Sequence, residues 1–267
     1  MVQVAVGQFA PGEDKEANLA TAGRLVAEAV GGGARVVLLP EYAMFTAARV
    51  DHRFVDAAEP LDGPFVTGLS RIANEHGAHV VAGVNEAQPP SDPDHFVNTL
   101  LALGPDGAIV ASYRKLHLYD AFGVRESEVV RPGEIEPPRT FSVEDVTFGL
   151  QTCYDLRFPE VTRRIVDAGA DVLLLGAEWV PGPLKEDHWV TLARARAIEN
   201  TIYIAAAGQN APTGSGNSMI VDPMGTRIAG LGEETGVAAA TVSGERVAEV
   251  RTRNPALRLR RFTVVPR

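Results

Sequence analysis

The sequence predicts an α/β protein built as a four-layer α-β-β-α sandwich. Two observations carry that prediction. Short aliphatic runs alternate with amphipathic helical segments, and several runs, residues 36–39 and 172–175 among them, are apolar at every position. That is the pattern of strands covered on both faces. The second observation is an internal echo. Gly33-Ala34-Arg35-Val36-Val37-Leu38-Leu39-Pro40-Glu41 resembles Gly169-Ala170-Asp171-Val172-Leu173-Leu174-Leu175-Gly176, and the second copy continues to Glu178. Each copy follows an amphipathic helix, so two related β-rich halves with helices outside fit better than one open sheet. No stretch reads as a linker, and the chain is assigned to a single domain, 1–267.

The elements follow in order. Residues 3–9 alternate and read as a strand. Asp14 can cap a helix over 15–30, with Leu19, Val26 and Val30 among its apolar positions. Gly31-Gly32-Gly33 ends it; no Lys-Ser/Thr follows, so this is a helix end and not a phosphate loop. The buried strand 36–39 runs into Pro40-Glu41. A helix is expected over 64–76, strands over 79–85 and 96–103, and a Pro-rich loop between those strands. Pro105-Asp106-Gly107 turns the chain into a strand over 109–114. Residues 116–136 show no period and read as a long loop, of the kind that covers or binds. A β-prone run at 146–150 precedes Cys153, and a helical pattern with Val161, Ile165 and Val166 on one face follows Pro159. A strand at 172–175, a loop, and a helix over 186–199 come next. Strands are expected at 202–207, 218–221, 226–231 and 237–242, with Asp222-Pro223-Met224-Gly225 a turn. The tail from Arg251 is rich in arginine and carries few helix signals.

Composition narrows the function. The formal net charge of −9 argues against nucleic acid or an anionic membrane as partner. No apolar run approaches the roughly 20 residues that span a bilayer. The N-terminus has no basic region and reads as a strand, not a signal peptide. The single cysteine excludes an intrachain disulfide and a multi-Cys metal site, and fits a cytoplasmic protein. The six histidines have no metal-ligand spacing, so neither a metal nor another cofactor is expected.

Cys153 lies where the 146–150 strand meets the helix after Pro159. Such a turn lifts a side chain clear of the sheet and aims free backbone N–H groups at whatever it attacks. A lone Cys is more often a small buried residue. Two other segments reverse that judgement. Leu38-Leu39-Pro40-Glu41-Tyr42 puts a carboxylate at one strand end, and Tyr113-Arg114-Lys115-Leu116-His117-Leu118-Tyr119 puts an amine at another. A thiol, a carboxylate and an amine at three strand ends can converge in one crevice at a sheet edge.

These segments, with Cys153-Tyr154-Asp155-Leu156-Arg157-Phe158-Pro159-Glu160, Ala195-Arg196-Ala197-Ile198-Glu199-Asn200 and Asp222-Pro223-x-Gly225, make the chain resemble the nitrilase, or carbon–nitrogen hydrolase, superfamily over nearly its whole length. Its nearest branch is that of the Nit-type amidases, which includes omega-amidase and deaminated glutathione amidase. The resemblance implies the same sandwich, a homodimer or higher oligomer, and a catalytic set of Glu41, Lys115 and Cys153. A free thiol has a pKa of about 8.5, so Glu41 would take its proton. Lys115 would stay cationic and stabilise the oxyanion beside the N–H of Tyr154. A second family glutamate corresponds to Glu126 within Arg125-Glu126-Ser127, with Glu128 a close competitor. Tyr154-Asp155 stands where true nitrilases have Trp-Glu, which favours an amidase.

The expected activity is hydrolysis of a small amide through a Cys thioester, releasing ammonia or an amine. N-carbamoyl and N-acyl-amine hydrolysis remain alternatives, as does an idle family member that binds or assembles. Tyr119, Tyr154, Arg157 and Trp179 are expected to bind substrate, with Tyr119 and Phe122 closing over a short acyl chain. Arg157 either pairs with a carboxylate near the elbow or holds a substrate carboxylate. Arg125, Arg131, Arg157 and Lys115 would make a cationic pocket in an acidic protein, suited to a carboxylate-bearing amide. The alternative is that these arginines pair with Glu126, Glu128, Glu134 and Glu178. His117 and His188 raise a Cys-His-acid arrangement, but neither lies in the sequence context of the papain or glutaminase families.

Overall fold

The computed structural model describes residues 1–266. The chain opens with strand β1 (Val2–Gln8) and helix α1 (Lys15–Gly31), whose Asp14 cap accepts from the N–H groups of Glu16 and Ala17. Strand β2 (Val36–Leu38), helices α2 (His52–Ala57) and α3 (Pro64–His76), and strands β3 (His79–Ala87), β4 (Phe96–Leu103) and β5 (Ile109–Arg114) follow. Then come β6 (Val130–Arg131), β7 (Thr140–Val143), β8 (Val146–Thr152), helix α4 (Pro159–Asp167), β9 (Val172–Ala177) and helix α5 (Lys185–Asn200). Strands β10 (Tyr203–Gly208), β11 (Met219–Val221), β12 (Arg227–Gly230) and β13 (Gly236–Val242), with helix α6 (Gly244–Arg253), complete the described elements.

The strands form two sheets. One has the order β13-β1-β2-β3-β4-β5, with β6 beside β4; the other has the order β12-β11-β10-β9-β8-β7. The centres, β1-β2-β3 and β8-β9-β10, are parallel, and the flanks are antiparallel except for the short β6, which runs parallel to β4. The echoing segments are therefore the central strands β2 and β9 of matching sheets.

Side-chain alternation explains why these strands are apolar throughout. Val36 and Leu38 join Val172 and Leu174 in the core between the sheets. Val37 and Leu39 pack instead with Leu25, Val26 and Leu69 of α1 and α3. Leu173 and Leu175 pack with Ile165, Trp189 and Ala193 of α4 and α5. Each central strand faces a sheet on one side and helices on the other, which makes four layers.

Four elements escape the sequence reading: α2, β6, β7 and α6. The tail is corrected by α6, which extends through Arg251 to Arg253. Ser243 caps it by accepting from the N–H of Arg246, and Val247 and Val250 are its two buried side chains. With so few apolar positions its period is weak, and Arg246 adds ion pairs to Asp222 and Glu249. The loop 116–136 is not wholly irregular either, since it carries a 3-10 turn at Glu126–Glu128 and the short β6.

One glycine sets the position of the site. A Cβ on Gly83 of β3 would stand 2.5 Å from Tyr42 N and 2.6 Å from Glu41 Cα. Only glycine lets the chain after β2 press so closely on β3, where the Gly83 N–H donates to Pro40 O at 3.0 Å.

Candidate active site

Three strand ends meet at one edge of the sandwich. Glu41 follows β2, and its backbone carbonyl accepts from Gln209 Nε2 at 2.8 Å. Lys115 follows β5, its N–H donating to Asn98 O at 2.9 Å while its carbonyl accepts from the Gly133 N–H at 2.8 Å. Cys153 follows β8 and opens a 3-10 turn, Cys153–Arg157, ahead of α4. Its φ of 40° lies in the left-handed region that non-glycine residues seldom occupy. That is the sharp elbow expected from the sequence, and its strain is held by the strand before it and the turn after it.

The side chains form a tight cluster. Lys115 Nζ lies 3.0 Å from Glu41 Oε1 and 2.8 Å from both carboxylate oxygens of Glu126. All three residues are at most 2% exposed. Glu41 Oε1 also accepts from Asn98 Nδ2 at 2.7 Å, and Oε2 accepts from the Glu178 N–H at 2.6 Å. Glu126 accepts from Tyr42 Oη–H at 2.6 Å and from the Tyr119 N–H. The buried carboxylates are therefore saturated with donors, as buried charge requires. The Cys153 thiol reaches Glu178 O at 3.5 Å. A cavity of about 730 Å³ opens over this cluster, with Glu41, Lys115, Cys153, Tyr119, Arg125 and Glu178 among its walls.

The remaining predicted residues fall into two groups. Tyr119 is on the cavity wall, with Tyr154 edge-on to it at 5.0 Å. Trp179 is not on that wall: it is 2% exposed, stacks near Trp189, and its Nε1–H donates to Lys185 O at 2.6 Å. Arg157 is also off the wall, and the carboxylate pairing expected for it is not found among the described residues. Its guanidinium sits 5.0 Å from the Trp179 ring centroid and 3.4 Å from His188 Nδ1. Arg131 is paired with Asp92 on the surface. Arg125 lines the cavity and pairs with none of the glutamates considered for it. Both Glu126 and Glu128 line the cavity, but Glu126 is the one that touches Lys115. His117 stacks on Phe158 and bonds to Asp155, away from the thiol, so no Cys-His pair is built.

Sequence reasoning took Asp155 as structural without its partners and missed Asn98 and Lys185. Asp155, fully buried, accepts from Tyr113 Oη–H at 2.7 Å and from the N–H groups of Leu116 and His117, tying the elbow to the segment after Lys115. Asn98 is, with Thr99, one of two polar residues in the otherwise apolar and fully buried β4, a signal that could have been read. Lys185, buried at the start of α5, gave no signal among its charged neighbours Glu186 and Asp187.

With this geometry in view, the comparisons are decisive. The carbon-nitrogen hydrolase family matches residues 3–252. The chain belongs to the carbon–nitrogen hydrolase family. It is similar to the deaminated glutathione amidase of Escherichia coli O157:H7, with 42% identity covering 97% of each chain. It is 33% identical to an omega-amidase of Xenopus laevis, covering 95% of this chain and 93% of that one. The solved Nesterenkonia AN1 amidase from the nitrilase superfamily superposes with a TM-score of 0.77 at 27% identity, covering 96% of each chain. Another structure of that amidase shows acrylamide added at its active-site cysteine.

The electrostatics of the hydrolase follow from burial and charge. Burial pulls the Lys115 ammonium toward losing its proton, but the Glu126 and Glu41 carboxylates outweigh it and hold its pKa well above the ordinary value. Burial and the Glu41 charge push the Cys153 thiol well up, against the pull of Lys115. Burial, reinforced by Glu41, likewise raises the Glu178 carboxyl. The resting arrangement is a neutral thiol beside a carboxylate and a fixed cation. Among the described residues, no group of three or more His, Cys, Asp and Glu side chains is arranged to hold a metal ion.

Proposed function

We propose that Cys153, Glu41 and Lys115 hydrolyse a small amide through a thioester. The observation that carries this reading is the buried Glu41–Lys115–Glu126 cluster beside Cys153 at the floor of the cavity. Glu41 takes the thiol proton as sulfur attacks the amide carbon. The carbonyl electron pair moves to oxygen, and Lys115 with the N–H of Tyr154 stabilises that oxyanion. The intermediate collapses, the C–N bond breaks, and ammonia or an amine leaves with the proton held by Glu41. Water, deprotonated by Glu41, then attacks the thioester, giving the carboxylic acid and the free thiol. Glu126 holds the ammonium of Lys115 in place.

The thiol is kept neutral until Glu41 and a bound substrate act together, which suits a nucleophile that must not react with every electrophile. Arg125 on the cavity wall and the names of the amidase relatives support an acyl group that bears a carboxylate. The test is intact-mass analysis during turnover of succinamate, which should show an acyl adduct on Cys153. Ammonia release by Cys153→Ala at a rate near that of the parent would overturn the thioester.

The same reading takes the chain as one cytoplasmic domain that works as a homodimer or larger. No described helix is long and apolar enough to cross a membrane. Leu259, Phe262 and Val265 of the tail are 67%, 89% and 74% exposed, an apolar edge that a second copy could cover. Light scattering should give at least twice 28.4 kDa, and a monomer mass at working concentration would refute the dimer.

A further inference from the structure

Lys185 stands in surroundings that hold a buried cation without a carboxylate in contact with it. It is 6% exposed, and it is the first residue of α5, where the helix dipole is positive. Burial is the main cause that lowers its proton affinity and the Arg157 guanidinium adds to it, while Cys153 and Glu186 act the other way. Among the described residues it has no carboxylate partner, and Glu186 beside it is exposed. Its ammonium is met instead by three rings, at 4.8 Å from the Tyr119 centroid, 5.2 Å from Phe122 and 5.0 Å from Trp179. Its one polar side-chain contact is Tyr119 Oη, at 3.0 Å.

That contact fixes the direction of a second proton. An ammonium has no lone pair, so Lys185 donates and Tyr119 Oη accepts. The phenol of Tyr119 keeps its own proton, since burial raises its pKa. That proton must therefore point away from Lys185, and no acceptor for it is found among the described residues. Tyr119 lines the cavity that holds Cys153. A hydroxyl polarised by a buried cation thus belongs to a wall residue of that cavity.

We propose that Tyr119 and Lys185 form the subsite for an anionic oxygen at the far end of the substrate acyl chain. The phenol makes the contact, and Lys185 is the positioning residue that orients the phenol and supplies the charge. The ligand class is a carboxylate, because the rings and the hydroxyl around the ammonium supply no counter-charge and an anionic oxygen would. The inference deepens the amidase reading and rests on it for the identity of the cavity. It also adds to the exposed Arg125 a second contact for that charge, one held by a buried lysine.

The experiment is a calorimetric titration of the Cys153→Ala protein with succinamate and with isocaproamide, its uncharged isostere. Succinamate should bind tighter by about tenfold or more, the range of a charge-assisted hydrogen bond. Adding Lys185→Met or Tyr119→Phe should bring the ratio of the two Kd values close to one. Tyr119→Phe keeps a ring in the cage, so its effect separates the hydroxyl from packing. No preference in the Cys153→Ala protein, or a preference that survives either substitution, overturns the subsite. Failure of the amidase reading shows separately, as no ammonia release by the unsubstituted protein.

Discussion

At the scale of single residues, Cys153 and Lys115 have separable signatures. Cys153→Ala removes the attacking atom, so ammonia release and the acyl adduct should vanish together. Lys115→Met keeps the bulk but leaves Glu41 and Glu126 unbalanced. It should lower kcat by about 10²–10³, the cost of losing one oxyanion donor; a change in KM alone would make Lys115 a ground-state binding residue. Protonation gives a further expectation. Both Cys153 and Lys115 bind protons more tightly in the folded chain than in an unfolded one. On raising pH the unfolded state therefore loses these protons first, and stability falls from the ordinary thiol value of about 8.5 upward. Melting temperature should drop between pH 8.5 and 10.5 by about a few degrees, with a shallower slope in Cys153→Ala. A flat profile, or one that rises, would contradict the buried neutral thiol.

At the scale of elements, the elbow and the segment after β5 are joined through Asp155. Asp155→Asn keeps the size and removes the charge that Tyr113, Leu116 and His117 donate to. The loss should be about 2–4 kcal/mol of stability, read as a lower urea midpoint, with kcat falling because Lys115 adjoins Leu116. Unchanged stability would mean that this carboxylate does not hold the turn. The same scale shows what a sequence can tell. Strands β2 and β9 were legible because burial on both faces leaves an unbroken apolar run. Helix α6 was not, because two buried valines among arginines and glutamates give almost no period. Glu41, Lys115 and Cys153 were legible as motif residues at strand ends. The surroundings of Arg157 were not legible because its neighbours, Trp179 and His188, arrive from a loop and helix remote in sequence. Lys185 was invisible for the same reason: its meaning lies in the rings around it.

At the scale of the whole molecule, the internal echo has its two ends in contact. Glu41 closes the first copy, Glu178 closes the second, and the N–H of Glu178 donates to Glu41 Oε2. The proposed general base of one half is therefore held by the backbone of the other, across the packed faces of two sheets. Activity then behaves as a gauge of docking between the halves. In a urea titration, loss of ammonia release should coincide with the fluorescence change of Trp179 and Trp189, which both report on the second half. Activity that outlasts the fluorescence change would show that one half can work alone. If the transitions coincide, a nascent or clipped chain carrying a single folded half stays chemically silent. The thiol then gains its proton acceptor only on completion of the fold.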